Sequence, residues 1–238
     1  MIRLPTKLLV AAPVAAALAS ASPCAAQTQT KPPAAKALAA ALAVEASLCA
    51  GEDNTSIEQQ VAACTRLIKL GANTKASAVP KAKSNLAWAY VRRGGAYTDG
   101  RDYARAIADF DAAIKLDETS AEAYSGRGLA NYYQGAFDQA IQDENQAVAL
   151  SPKAAGPYRV RGYAHLKSDD PISAVDDFTA ALDIHSLDAT ALFGRAAAYA
   201  VQGRRGFAQR DVAAAQGIDP NIRATVKDLF DYDPPPTL

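Results

Sequence analysis

The sequence predicts an all-α chain, an α-solenoid of antiparallel helix pairs. Three observations carry that prediction. Residues 34 apart share their character: Ala106, Ala140, Ala174 and Ala208 form one series, Ala113, Ala147, Ala181 and Ala215 a second, and Leu116, Leu150, Ile184 and Ile218 a third. The segment Ala121 to Ala154 reads as two helices around Gly135, closed by Pro152. Half of the 238 residues are apolar and many of those are Ala, the residue that favours helix most. A period between about 20 and 50 residues marks units that bury their apolar faces only by stacking on their neighbours.

Each unit position has a physical reason. Ala140 and Ala147 lie seven apart, on one face of the second helix. Small residues there let helix axes approach toward the short end of about 8–10 Å, and Gly128 does the same on the first helix. Tyr124, Tyr132 and Phe137 supply bulk around these gaps. Gly135 permits the reversal between helices, and Pro152 stops the second one.

Residues 1–26 read as a secretory signal. Arg3 and Lys7 form a basic start, Leu8 to Ala19 an apolar stretch, and Cys24-Ala25-Ala26 a small-residue cleavage site. Cleavage after Ala21 is the rival, and Pro23 and Ser22 make a poor lipoprotein site around Cys24. The apolar stretch is too short to span a bilayer core of about 30 Å. The expected localisation is therefore exported, periplasmic or secreted, with no membrane span in the mature chain.

Segment 27–48 opens polar and Pro-bearing and becomes Ala-rich, able to form a helix from Ala34 to Leu48. Segment 49–80 reads as a degenerate half-repeat. It holds Cys49 and Cys64, an even pair once the signal leaves, which favours a disulfide over two buried thiols in an exported chain. Thr55 and Glu58 have capping-box spacing before a helix from about Ser56 to Leu70, and Gly71 to Pro80 reads as a loop.

Four repeats follow, at 81–120, 121–154, 155–188 and 189–222, and 223–238 reads as a capping helix with a Pro-rich tail. In the first repeat Gly94 stands where a turn glycine is expected, but the next aromatic, Tyr103, comes late. Gly95 to Arg101 is therefore read as a seven-residue insertion in the turn with Tyr97 at its tip, a tolerated loop or, alternatively, a recognition loop. Thr119 to Glu122 reads as a second capping box. In the third repeat, Asp170 is a natural N-cap and Pro171 a natural first helical residue. Gln209 and Gln216 give the fourth repeat the polar outer face that a chain end needs.

A polar series repeats too. Arg127, Arg161 and Arg195 are 34 apart, as are Asp109, Asp143, Asp177 and Asp211. In an antiparallel pair, Arg127 and Asp143 fall at one height about Gly135. The spacing predicts an Arg–Asp ladder, within or between units, that fixes helix register through paired hydrogen bonds.

Small, aromatic, Gly and Pro positions in that order and at that period resemble the tetratricopeptide repeat, over roughly Lys81 to Ile222. The resemblance implies a right-handed superhelix whose first helices line a concave groove for a protein or peptide partner. Carried over position by position, the groove takes Lys81, Ser84, Trp88, Val91 and Arg92 from the first unit. It takes Glu122, Ser125, Leu129, Tyr132 and Tyr133 from the second. The third supplies Arg159, Tyr163, Leu166 and Lys167, and the fourth Thr190, Phe193 and Val201. Of these, Trp88, Arg92, Tyr132, Tyr133, Arg159, Tyr163, Lys167 and Phe193 are the candidate contacts, because aromatics and Arg dominate binding hot spots. Packing between units is the competing role for Tyr132 and Tyr163. Arg159 and Tyr163 depart from the Lys and Asn of the family's carboxylate clamp.

The charge balances at 25 basic and 25 acidic residues, with no basic excess for nucleic acid. Only His165 and His185 are present, and no triad spacing, Gly-rich phosphate loop or zinc motif appears. The expectation is a non-catalytic scaffold without cofactor or metal, which binds a peptide or helix of an envelope protein. The alternative is a structural module that assembles with copies of itself.

Overall fold

The computed structural model describes residues 34–52, 54–72 and 80–230. The expected signal at 1–26, the polar start of segment 27–48, residues 73–79 of the expected loop and the Pro-rich tail lie outside the described residues.

Eleven helices and no strand occur among the described residues. They are α1 (Ala34–Ala50), α2 (Ile57–Ala72), α3 (Pro80–Asp99), α4 (Tyr103–Leu116), α5 (Ala121–Tyr133), α6 (Phe137–Leu150), α7 (Ala155–Lys167), α8 (Pro171–Ile184), α9 (Ala189–Val201), α10 (Arg205–Ile218) and α11 (Ile222–Phe230). Each helix from α1 to α9 packs on the next, and the first helices α3, α5, α7 and α9 also touch in sequence. The chain is an all-α solenoid.

Capping residues start several helices. Asp102, Ser120, Asp170 and Asp188 each accept the backbone N–H three residues on, and Pro171 opens α8 behind Asp170. Two expected caps move by one residue. At α2 the reciprocal pair is Ser56 with Gln59, not Thr55 with Glu58: Gln59 N–H donates to Ser56 Oγ at 3.3 Å, and Ser56 N–H to Gln59 Oε1 at 2.9 Å. At α5 the cap is Ser120, while Thr119 bonds Asp117 Oδ1 at 2.7 Å. Adjacent hydroxyl residues are equivalent as sequence signals, and the turn geometry selects the second.

The seven-residue insertion is absent. Gly95 to Asp99 continues α3, and the turn comes at Gly100-Arg101-Asp102. Arg101 has φ 60°, Gly135 φ 80°, Asp169 φ 59° and Gly203 φ 72°, at one 34-residue spacing. The true turn residue of the first repeat is therefore Arg101, a non-glycine in the left-handed region. The seven extra residues, Pro80 to Leu86, instead lengthen the start of α3 by about two turns. Tyr97 is half-buried, with the Arg105 guanidinium 4.6 Å from its ring centre.

The alanine series form the seams of the stack: Ala106, Ala113, Ala140, Ala147, Ala174, Ala181 and Ala215 have no exposed surface, and Ala208 almost none. Phe110 and Phe178 wedge between successive units. A Cβ on Gly126 would lie 2.3 Å from Phe110, and one on Gly194 2.4 Å from Phe178.

The Arg–Asp ladder joins each unit to itself and to its predecessor. Arg127 grips Asp143 with Nη2 at 2.6 Å and Nε at 3.0 Å, and Arg195 grips Asp211 at 3.1 and 2.7 Å. Arg161 pairs with Asp177 in the same way, and Arg93 with Asp109 extends the series by one step. The remaining guanidinium nitrogen reaches back one unit, from Arg127 to Asp111, from Arg161 to Asn145 and from Arg195 to Thr179.

At the N-terminal end, Cys49 and Cys64 are joined by a buried disulfide, Cα atoms 4.8 Å apart, which ties α1 to α2. At the other end α11 differs from an end cap. It turns inward onto α9, and Phe230 reaches residues of α5 and α7.

Candidate binding trough

The contact between successive first helices creates a trough along α3, α5 and α7. Its open part is a recess of about 600 Å³. Val91, Leu129 and Pro157 give it an apolar lining, and Arg92, Asp99 and Glu122 add charge. Ser125 and Gly126 keep the α5 wall low. The Arg92 guanidinium is fixed by donation to the Ala50 carbonyl, and Nη1 lies 3.7 Å from Glu122 Oε1. Gln60, whose amide donates to the Cys49 carbonyl at 3.1 Å, also lines the recess. The disulfide-linked segment thus carries two groups that position the trough's N-terminal end.

One polar group is buried beside this trough. Glu144 occupies the register position of Phe110 and Phe178, and none of its surface is exposed. Ser125 Oγ donates to its Oε1 at 3.2 Å, while Oε2 has no hydrogen-bond partner. Burial raises its carboxyl well above the usual carboxylate range, against the Ser125 hydrogen bond that lowers it. Gly128 leaves room for this carboxyl, since a Cβ there would lie 2.7 Å from Glu144 Oε1.

The eight candidate contacts separate into groups. Arg92 lies in the open trough. Tyr133, half-buried and stacked on Tyr103 at 5.2 Å, lines a neighbouring recess with Asp99, Arg101, Lys227 and Asp228. Burial raises its phenol above the ordinary value. Arg159 is half-buried and spans to Asp188 Oδ2, the N-cap of α9. Lys167 is half-buried at the end of α7. Trp88, 38% exposed, lines a separate apolar recess with Leu42, Leu67 and Leu70.

Tyr132, Tyr163 and Phe193 are core residues, 3%, 0% and 1% exposed. Tyr163 donates its hydroxyl to the Thr190 carbonyl at 2.7 Å, Tyr132 to the Phe230 carbonyl, and Arg223 lies over Phe193 at 5.8 Å. Val91 lines the trough as the sequence reading has it, whereas Gly95 and Asp99 are trough residues missed at the sequence level. Stepping back 34 from Leu129 and Tyr133 reaches these two, a signal hidden by the misplaced turn.

The geometry defines a class: a helical repeat array with a lined trough on its first helices, suited to holding an apolar side chain and orienting it by charge. No cluster of three or more potential metal ligands occurs among the described residues. None of the described helices is long and apolar enough to cross a membrane.

The comparisons give the class its family. Residues 94–135 match the family model of the TPR repeat, and residues 159–205 match that of the tetratricopeptide repeat. The chain carries tetratricopeptide repeats. No curated protein sequence matches it. Among solved structures, MamA is similar with a TM-score of 0.56 and 22% identity, covering 69% of this chain and 90% of MamA. YrrB, described as a TPR protein with an unusual peptide-binding site, is similar with a TM-score of 0.50 and 22% identity, covering 59% and 76%. At these identities the likeness is one of fold.

Proposed function

We propose that this protein is a non-catalytic interaction scaffold of the cell envelope, which binds a peptide or helix of a partner protein in the trough along α3, α5 and α7. The observation that carries the reading is the open recess itself: an apolar lining from Val91, Leu129 and Pro157, with Arg92 held by Ala50 and Glu122 beside it. Fixed charges around an apolar pocket give orientation and specificity, while the buried side chain supplies most of the affinity. YrrB, of the same fold, is described as having a peptide-binding site, which supports this use of the scaffold. The Cys49–Cys64 bond supports an oxidising compartment, and the basic and apolar start of the sequence supports export.

The test is affinity capture from an envelope extract with wild-type protein and a Ser125→Trp variant of unchanged helicity. Ser125 faces the recess, so an indole there fills it. Partners held by wild type and lost by the variant support the reading. Equal capture by both contradicts it.

A further inference from the structure

The described apolar stripe of α11 is Ile222, Val226 and Phe230, spaced by four residues and 1%, 0% and 4% exposed. Arg223, Ala224, Lys227 and Asp228 are exposed. The Phe230 ring lies parallel to Tyr163 at 4.0 Å and edge-on to Tyr132 at 6.1 Å, and its carbonyl accepts the Tyr132 hydroxyl. Tyr132 belongs to α5 and Tyr163 to α7, while α11 follows α10. A terminal cap covers the last repeat of an array. This helix instead reaches two repeats further back, along the row of first helices.

Its position also relates to the open trough. The recess beside α11 is lined by Lys227 and Asp228 together with Asp99, Leu129 and Tyr133. Asp99 and Leu129 line the open recess as well. The two recesses are therefore contiguous, and α11 ends where the unfilled trough begins.

We infer that α11 is a resident ligand of the trough, and that the partner is an amphipathic helix of another protein with apolar residues at i, i+4 and i+8, the last aromatic, which displaces it. This rests on the trough reading above. The occupied half shows which shape and spacing the surface accepts. A nine-residue helix is too short to be stable alone. The ordering of α11 is thus coupled to docking, and undocking releases a short segment without disturbing the ladder or the alanine seams. An incoming helix finds the unfilled recess first and then competes for the Tyr132–Tyr163 site. Competition with a tethered segment lowers apparent affinity in proportion to the fraction of time the site is free.

The test uses the full oxidised chain and a fluorescent synthetic peptide of Asp219 to Phe230, read by anisotropy. Phe230→Ala protein should bind the peptide at least tenfold more tightly than wild type does. A peptide with its own Phe replaced by Ala should lose binding to both proteins. Equal binding by wild type and variant, or no binding to a variant whose helicity is unchanged, overturns the inference. Amide exchange supplies a second reading on Phe230→Ala and on Val226→Ala. Faster exchange confined to α11 supports a detachable helix. Lost protection throughout α5 to α9 makes α11 an integral part of the core and overturns it.

Partners captured as above separate the two ideas. If they bind wild type and Phe230→Ala equally, the displacement idea fails while the trough stands. If the peptide binds as expected but Ser125→Trp captures the same partners as wild type, the trough reading fails while the α11 site stands.

Discussion

The ring of Phe230 in the last helix lies flat against the ring of Tyr163 in the third repeat, centroids 4.0 Å apart and planes within 15°. The contact fills one end of the first-helix row and leaves the other open. It decides which aromatic residues are core and which part of the trough a partner can reach.

The ladder is a register device. Arg127→Ala leaves Asp143, 6% exposed, without its charged partner, and should cost about 3 kcal/mol in urea unfolding. Changing both residues to Ala should cost clearly less than the sum of the single changes, because no buried charge is then stranded. Additive losses would mean that the pair does not act as a unit.

At the first turn, Arg101 holds φ 60° where Gly135 and Gly203 stand in later repeats. A side chain in that region costs about 1 kcal/mol that glycine avoids. Arg101→Gly should therefore stabilise the protein by up to about 1 kcal/mol, and the measurement is the urea midpoint at unchanged slope.

Glu144 gives a pH signature. Its folded carboxyl is raised by burial above its unfolded value. The stability it contributes is thus fully present below the unfolded carboxylate range and is lost as pH rises toward and through the folded value. Glu144→Gln removes this dependence. The variant should melt higher than wild type at pH 7–8, by about 2–4 °C for each kcal/mol recovered. The two melting temperatures should converge near pH 4. A constant difference across that range would show that the carboxyl does not titrate as described.

The Cys49–Cys64 bond closes a loop with a sequence separation of 15. Reduction should cost about 3 kcal/mol in the chain-entropy account. The loss should appear first as faster amide exchange in α1 and α2. Intact mass before and after alkylation, without reductant, checks that the bond is present.

Much of the fold was legible because its cause is local and periodic. An alanine repeated every 34 residues marks a place where only a methyl fits, and Asp109, Asp143, Asp177 and Asp211 with their arginines announced a pairing at constant height. The register of the first repeat was not legible. Gly94 and Gly95 look like a turn, whereas Arg101 does not, and the neighbouring units' Gly135 and Gly203 had to be aligned to expose it. The site was less legible than the fold. Whether Tyr132, Tyr163 and Phe193 face a partner or the interior depends on α11, whose inward path leaves no periodic mark. With Arg101 as the turn, Trp88 moves from the ninth groove position of its unit to the second, that of Glu122, yet it lines another recess, because α3 there meets α1 and α2.

The central claim is that a partner binds in the trough along α3, α5 and α7. The most direct measurement is the affinity of a captured partner for wild type, Leu129→Asp and Trp88→Ala proteins of equal helicity and melting. Leu129 lines the trough and Trp88 the separate recess. Leu129→Asp should weaken binding by about thirtyfold or more, roughly 2 kcal/mol, and Trp88→Ala should leave it unchanged. Full affinity in Leu129→Asp together with a large loss in Trp88→Ala would contradict the claim and move the site to the α1–α3 recess.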